Sequence, residues 1–293
     1  MNWNSKRVEA ILEQALIEDR ATSDVTTALT IDPRLRASAT VLAKQDCVLS
    51  GLGCIPRFLT LFARLDKKPA RFEVISNPEM FDGVRVRKGQ AVAVIRHNAR
   101  ALLACERVIL NLMQRMSGIA TTTRRYVDEL KGTKCTLLDT RKTVPGLRVL
   151  DKYAVMCGGG VNHRMDLSDS ILIKNNHISL GGGLEHVLVL AKSRRKPAQK
   201  IEVEVRTFAE LELAIKGGAD SLLVDNMTPA EVKKAVKLVR ARGLTTPIEA
   251  SGGIHLGNIR KYALAGVDFI SVGALTHSVA SVDLSMRITA ETE

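Results

Sequence analysis

The sequence predicts an α/β fold in two parts: a first part of mixed helices and strands, and a second in which strands alternate with helices around a parallel sheet. Three observations carry this. At 293 residues the chain exceeds one compact core of ordinary size and suits two domains or one large barrel. Hydrophobic residues make up 45% and aromatic ones 3%, so core material is ample and mostly aliphatic. From residue 135 onward, short apolar runs recur between helical patterns, and each has a polar residue or a glycine at or beside its end.

In the first part, Val8, Ile11, Leu12, Ala15 and Leu16 share one face of a helix over residues 6–17, with Ser5 as its N-cap. Strand-like runs follow at 38–43, 71–75 and 84–95. In Val84-Arg-Val-Arg-Lys-Gly-Gln-Ala-Val-Ala-Val94 a glycine separates two alternating runs, which predicts a hairpin-like turn. A long helix covers roughly 99–116, and on it Arg107, Asn111 and Gln114 recur at helical spacing as a polar stripe.

In the second part the apolar runs are Cys135–Asp139, Ile171–Lys174, Ile201–Val205, Ser221–Asp225, Pro247–Ser251 and Val267–Gly273. The helix after Asp225 is signalled by Thr228 as cap, Pro229 at its first position and Glu231 completing a capping box. Another helix fills 257–265. In a β/α barrel the carboxyl ends of all strands meet at one face, which carries the active site. An open doubly wound sheet would spread the same residues along a crevice. Six strands are fewer than the eight of a full barrel; strands hidden near 153–157, or an incomplete barrel, would account for the shortfall.

The formal charge of +12 attracts polyanions without naming them. The basic run Lys192-Ser-Arg-Arg-Lys196 reads as a solvated helix end and loop, since no aromatic stacking groups lie near it for nucleic acid. Cys47, Cys54, Cys105, Cys135 and Cys157 are odd in number and form no CxxC pair, which argues against a disulfide framework or a zinc site and for a reducing cytoplasm. No signal peptide and no membrane-spanning stretch is expected.

Four constellations carry chemistry. Asp139-Thr-Arg-Lys-Thr-Val-Pro-Gly-Leu-Arg148 places two cations side by side at a strand end, an arrangement suited to an anion between them. Gly158-Gly-Gly160, which suits a close backbone approach or a tight turn, precedes His163 and Arg164; Lys174 ends the next run. Glu204 and Asp225 end their strands and suit Mg²⁺ or sugar hydroxyls, with Glu202 an alternative to Glu204 on the same face. Last, Glu249-Ala-Ser-Gly-Gly-Ile254 and Gly266-Val-Asp-Phe-Ile-Ser-Val-Gly273 are successive glycine-rich turns after late strands, where β/α barrels hold phosphate. Each taken alone also suits a surface loop or an internal salt bridge. Together they describe a mouth for a phosphorylated sugar and a polyanionic acid, with no Ser-His-Asp or Walker A pattern.

These stretches resemble the quinolinate phosphoribosyltransferase family. The resemblance is carried by Leu138–Arg148, Lys152-Tyr-Ala-Val155, Gly158–Arg164, Leu172-Ile-Lys-Asn-Asn-His177, Glu202-Val-Glu204, Val224-Asp-Asn226, Ser251-Gly-Gly253 and Gly266–His277. It begins near Glu18-Asp19 and Asp24-Val-Thr-Thr27, where Ser23 stands in place of an expected glycine and should alter only a local turn. It implies an N-terminal α/β open-sandwich domain at 1–116 with a C-terminal return at 275–293, and an incomplete β/α barrel at 117–274 carrying the active site. It implies a homodimer or higher homo-oligomer in which Arg107 is supplied to the neighbouring active site.

Residue by residue, the resemblance implies that Arg141, His163, Arg164 and Lys174, with Thr140 and Lys142 close by, surround quinolinate. Glu204 and Asp225 would hold the ribose hydroxyls and Mg²⁺ of phosphoribosyl pyrophosphate. Ser251, Gly252, Gly253, Val272, Gly273 and Ala274 would cradle its 5-phosphate. Lys142, Lys174, Glu204 and Asp225 are the expected catalytic residues. The implied activity is a glycosyltransferase reaction of de novo NAD biosynthesis giving nicotinate mononucleotide, pyrophosphate and CO₂, with small-molecule substrates and neither nucleic acid nor membrane as partner. The rivals are a transferase of the same fold acting on another base, a basic nucleic-acid-binding protein, and a lyase using Lys174 as a Schiff base; the cation set Arg107, Arg141, Arg164 and Lys174 favours an acid with two carboxylates.

Overall fold

In the computed structural model, which describes residues 1–75 and 77–291, the alternating second half forms one six-stranded sheet. Its order is Thr136–Leu138, Phe269–Ser271, Ile248–Ser251, Ser221–Asp225, Ile201–Val205 and Ile171–Ile173, parallel at every join. The first strand in sequence thus neighbours the last, and the second stands at the far edge. This is the order of a barrel with one join missing. The outer side of the first strand takes only an isolated bridge from Leu138 to Val161. Residues 153–157 hold no hidden strand: they belong to the helix Arg148–Cys157, whose buried Leu150, Asp151, Ala154 and Val155 follow helical spacing.

The sheet owes its layering to alternation along each strand. Ile201, Val203 and Val205 are fully buried toward one face, while Glu202 and Glu204 share the other. The helices Leu184–Arg194, Phe208–Lys216, Pro229–Ala241 and Ile259–Leu264 pack on one another or on their strands. The predicted capping box is present: Thr228 Oγ1 accepts from the Glu231 amide at 3.3 Å, and Glu231 Oε2 accepts from the Thr228 amide at 2.8 Å.

The chain divides into two units, one of residues 1–124, 144–159 and 278–293, the other of 125–143 and 160–277. The sequence reading places the boundary at 116/117, assigns 144–159 to the barrel and begins the return at 275. The division falls instead inside the helix Ala99–Glu129, which runs on well past residue 116. Residues 144–159 belong to the first unit, where the fully buried Asp151 accepts from Arg115 at 3.0 and 2.8 Å and from the Val144 amide at 3.2 Å. The same excursion separates the two barrel strands that fail to join. Residues 292–293 of the return lie outside the described residues.

The first unit is built on an antiparallel sheet in the order Leu284–Ala290, Arg36–Ala43, Ala91–Asn98 and Glu73–Ile75. The helix Lys6–Glu18 begins at Ser5, whose hydroxyl accepts from the Val8 amide, and buries Val8, Leu12 and Leu16. It packs on the helix Cys54–Leu65, which contributes Ile55, Phe58, Leu59 and Phe62 to the core. The hairpin predicted over 84–95 does not form. A turn occurs at Gly89, with φ of +88°, but Arg85–Val86 pairs with Cys47–Val48 and Ala91–Asn98 pairs elsewhere. Ser23 ends a short 3₁₀ turn without a left-handed φ; that conformation falls on Arg20, so a glycine at 23 is not required.

Candidate active site

Because the six strands are parallel, their carboxyl ends reach one rim, and a cavity of about 880 Å³ opens there. It is lined by Thr140, Arg141, Lys142, His163, Arg164, Lys174, Glu204, Asp225, Ser251, Gly252, Gly253, Val272, Gly273 and Ala274. The structure thus brings together every predicted site residue except Arg107. That residue is exposed on the helix Ala99–Glu129 and lines a cavity of the first unit, about 770 Å³, with Asn111, Arg115 and residues 144–147. The glycine triplet is a turn, not a ligand contact. A Cβ on Gly158 would lie 2.4 Å from that of Thr123, and Gly159 has a φ of +90°.

Arg141, Lys142, Arg164, Lys174 and Arg206 outnumber Glu204, Asp225 and Glu249 around the cavity. Lys174 Nζ lies 2.9 Å from Glu204 Oε2. Arg206 bridges both carboxylates, with contacts of 3.4 Å to Glu204 and to Asp225. Asn226 donates from Nδ2 to Asp225 Oδ2 at 2.8 Å. Arg141 Nε is buried with no hydrogen-bond partner among the described residues, as suits a guanidinium prepared for an anion. Burial, and then the charge of Arg141, lowers the Arg164 guanidinium from its ordinary value.

Also on the cavity wall, Gly252 and Gly253 take φ of +89° and +63°. A Cβ on Gly252 would sit 2.3 Å from Asn226 Oδ1, and one on Gly273 would sit 2.9 Å from the Lys142 chain. Only glycine keeps this surface open. Ser271 donates to Ser251 across adjacent strands at 3.0 Å. Gly273 leads directly into the short helix Ala274–His277.

Below the mouth, His163 Nε2 lies 3.2 Å from Glu202 and 3.4 Å from Glu249. The pattern of the strand leaves Glu202 and Glu204 equivalent; the structure puts Glu204 on the cavity wall and Glu202 against the His163 ring. Burial works against a charged imidazole, but the hydrogen bonds and charges of the two carboxylates prevail and push His163 up to about 10. Burial raises the Glu249 carboxyl as well. The cluster therefore takes up a proton. Because the Arg164 amide donates to His163 Nδ1 at 2.8 Å, that proton belongs on a carboxyl and not on Nδ1.

Among the described residues, His163, Glu202 and Glu249 are the one group of at least three ligand atoms close enough for a metal, all within 4.8 Å. Those atoms already satisfy one another. Glu204 and Asp225 form no such group and offer two carboxylates, the donor set by which Mg²⁺ is commonly shared between a protein and substrate phosphates.

Sequence reasoning missed Arg206, Asn226 and His277 on the cavity wall. Arg206 directly follows the strand end Val205 and could have been found by the rule that placed Lys174.

Residues 119–287 match the family description "Quinolinate phosphoribosyl transferase, C-terminal domain", and 24–117 match the N-terminal domain of the same family. The chain is 40% identical over 290 residues to a probable nicotinate-nucleotide pyrophosphorylase [carboxylating] of Bacillus subtilis (strain 168), covering 99% of this chain and 96% of that one. It is 38% identical to the corresponding pyrophosphorylase of Mycobacterium leprae (strain TN), with 94% and 95% covered. The fold superposes on NadC from Streptococcus pyogenes with a TM-score of 0.89 at 38% identity, covering 97% of each chain. It also superposes on the nicotinate-nucleotide pyrophosphorylase of Francisella tularensis with a TM-score of 0.86 at 37% identity, covering 97% and 96%.

Proposed function

The chain belongs to the quinolinate phosphoribosyltransferase family, and we propose how its barrel mouth carries out the reaction of that family. It is a phosphoribosyltransferase of NAD biosynthesis, joining quinolinate to phosphoribosyl pyrophosphate with loss of CO₂ to give nicotinate mononucleotide. The pyridine nitrogen attacks C1 of the ribose, and pyrophosphate leaves with the bonding pair. The nitrogen is then cationic and stabilises the pair left on the ring carbon when the neighbouring carboxylate departs as CO₂; that carbon takes up a proton. The protein orients two anions and stabilises charge, so no protein nucleophile is required.

Arg141, Arg164 and Lys174, with Thr140, Lys142 and the His163 ring beside them, form the quinolinate side of the mouth in this reading. The partnerless Arg141 Nε supports it. Ser251–Gly253 and Val272–Ala274 form the 5-phosphate side, supported by the space that a Cβ at Gly252 or Gly273 would fill. Glu204 and Asp225 would bind the ribose hydroxyls and, with the donor's phosphate oxygens, Mg²⁺. Bound there, the ion would neutralise charge on the departing pyrophosphate. The observation that carries the reading is the meeting of surplus cations and a glycine cradle at one rim.

The proposed assembly is a homodimer or larger homo-oligomer in which Arg107 completes a neighbouring subunit's site; its exposure on the first unit is compatible with that role. The cytoplasm is the proposed compartment. All five cysteines are free, and among the described residues no helix is long and apolar enough to cross a membrane. The decisive test incubates the protein with quinolinate, donor and Mg²⁺ and follows nicotinate mononucleotide, with nicotinate in a parallel tube. Product from quinolinate and none from nicotinate is expected; the reverse would replace the substrate.

A further inference from the structure

The floor of the barrel holds polar groups that the reaction does not call for. Glu249 is 3% exposed, and its neighbours Ile248 and Ala250 on the same strand are buried and apolar. A carboxylate in such a place costs stability relative to an apolar side chain of similar size, so its retention asks what the contact achieves. Glu249 Oε2 lies 3.4 Å from His163 Nε2, and the carboxyl also takes a hydrogen bond from the Ser271 side chain. Glu202 meets the same nitrogen at 3.2 Å, and its other oxygen accepts from Ser221 Oγ at 3.3 Å. The far side of the ring, Nδ1, accepts from the backbone amide of Arg164 at 2.8 Å, and the backbone amide of His163 donates to the fully buried Asp139 at 2.8 Å. The Arg164 guanidinium is tied in turn to the Ser170 carbonyl at 3.0 Å.

From this chain of contacts we infer that Glu249 is a positioning residue for quinolinate recognition, acting through His163 to set the backbone from which Arg164 reaches the mouth. Both ring nitrogens are engaged by the protein, so the imidazole is a strut with a fixed length. The Glu249 carboxyl determines where one end of the strut rests, and the Arg164 amide is at the other. The phosphate cradle at 251–253 and 272–274 touches this path through Ser271, which is also hydrogen-bonded to Ser251 and so keeps a partner when the carboxyl is lost. Loss of the carboxylate should therefore affect quinolinate more than the donor. This inference rests on the reading of the mouth given above.

The test compares wild type, Glu249→Ala and Glu249→Gln in steady-state turnover, varying quinolinate and donor separately. Glu249→Ala is expected to raise KM for quinolinate about tenfold and leave KM for the donor within about twofold. Glu249→Gln keeps an acceptor for Nε2–H and should restore quinolinate KM to near the wild-type value. Equal changes in both KM values, or none, overturn the inference. If Glu249→Ala does not fold, Glu249→Asp, which withdraws the carboxylate by one methylene, is read for the same split. Wild-type protein that consumes no quinolinate would instead reject the proposed function itself.

Discussion

Glu202 and Glu204 stand two positions apart on one strand and on the same side of the sheet, yet they have different neighbours. At the mouth, Glu204 is paired with Lys174 and Arg206, whose side chains are 45% and 46% exposed. On the floor, Glu202 meets His163, and each of these side chains is only 14% exposed. The mouth cations are long, hydrated and able to turn from a carboxylate to a phosphate at little cost. The floor partners are held at both ends, and a change of partner there would leave a buried charge behind. Ion pairs at the rim thus occupy positions that ligands can take over, whereas those beneath belong to the framework.

The largest effect expected from this contrast falls on the rim. Arg141→Ala and Lys174→Ala should each lower kcat/KM for quinolinate about a hundredfold or more, while thermal unfolding stays close to that of wild type. Full turnover in both variants would show that the rim is misassigned. A smaller effect is expected at Arg206, which pairs with Glu204 and Asp225 and would compete there with the proposed Mg²⁺. Arg206→Gln should lower the Mg²⁺ concentration for half-maximal activity about two- to fivefold, the worth of an exposed ion pair. A higher Mg²⁺ requirement would make Arg206 a partner of the donor instead of a competitor.

On the floor the effect appears in stability. Its groups are raised above their ordinary values of 4.5 for Glu249 and 6.5 for His163, so the native cluster binds a proton that the unfolded chain releases at neutral pH. The contribution is present in full below those ordinary values and is lost as pH rises toward about 10. Urea unfolding between pH 7 and 10 should show wild-type stability falling by up to about 1.4 kcal/mol per pH unit from this source, with a flatter profile in Glu249→Gln. Parallel profiles would mean that the cluster takes up no proton.

Much of this was legible in the chain. Six apolar runs became six strands because each is bounded by residues that stop a strand, and the parallel arrangement then gathered their ends. What stayed hidden depends on pairing at a distance. Alternation over 84–95 specifies strands but not their partners, and the two halves pair in different sheets. The helix Arg148–Cys157 has an apolar stripe that does not say which core it enters. Val161 contributes a single bridge, too short to have a period. Arg206 resembles any solvated cation until Glu204 and Asp225 are seen on either side of it.

The missing join in the barrel also bears on how the chain is made. The strand Thr136–Leu138 leaves the ribosome long before Phe269–Ser271, its neighbouring strand among the described residues. Arg36–Ala43 likewise waits for the distant Leu284–Ala290 on one side. Each of these two strands therefore keeps one side unpaired while a long stretch of intervening chain is made. A nascent chain in that condition presents unpaired backbone to its surroundings, a hazard that ends for these two strands only when their distant partners arrive.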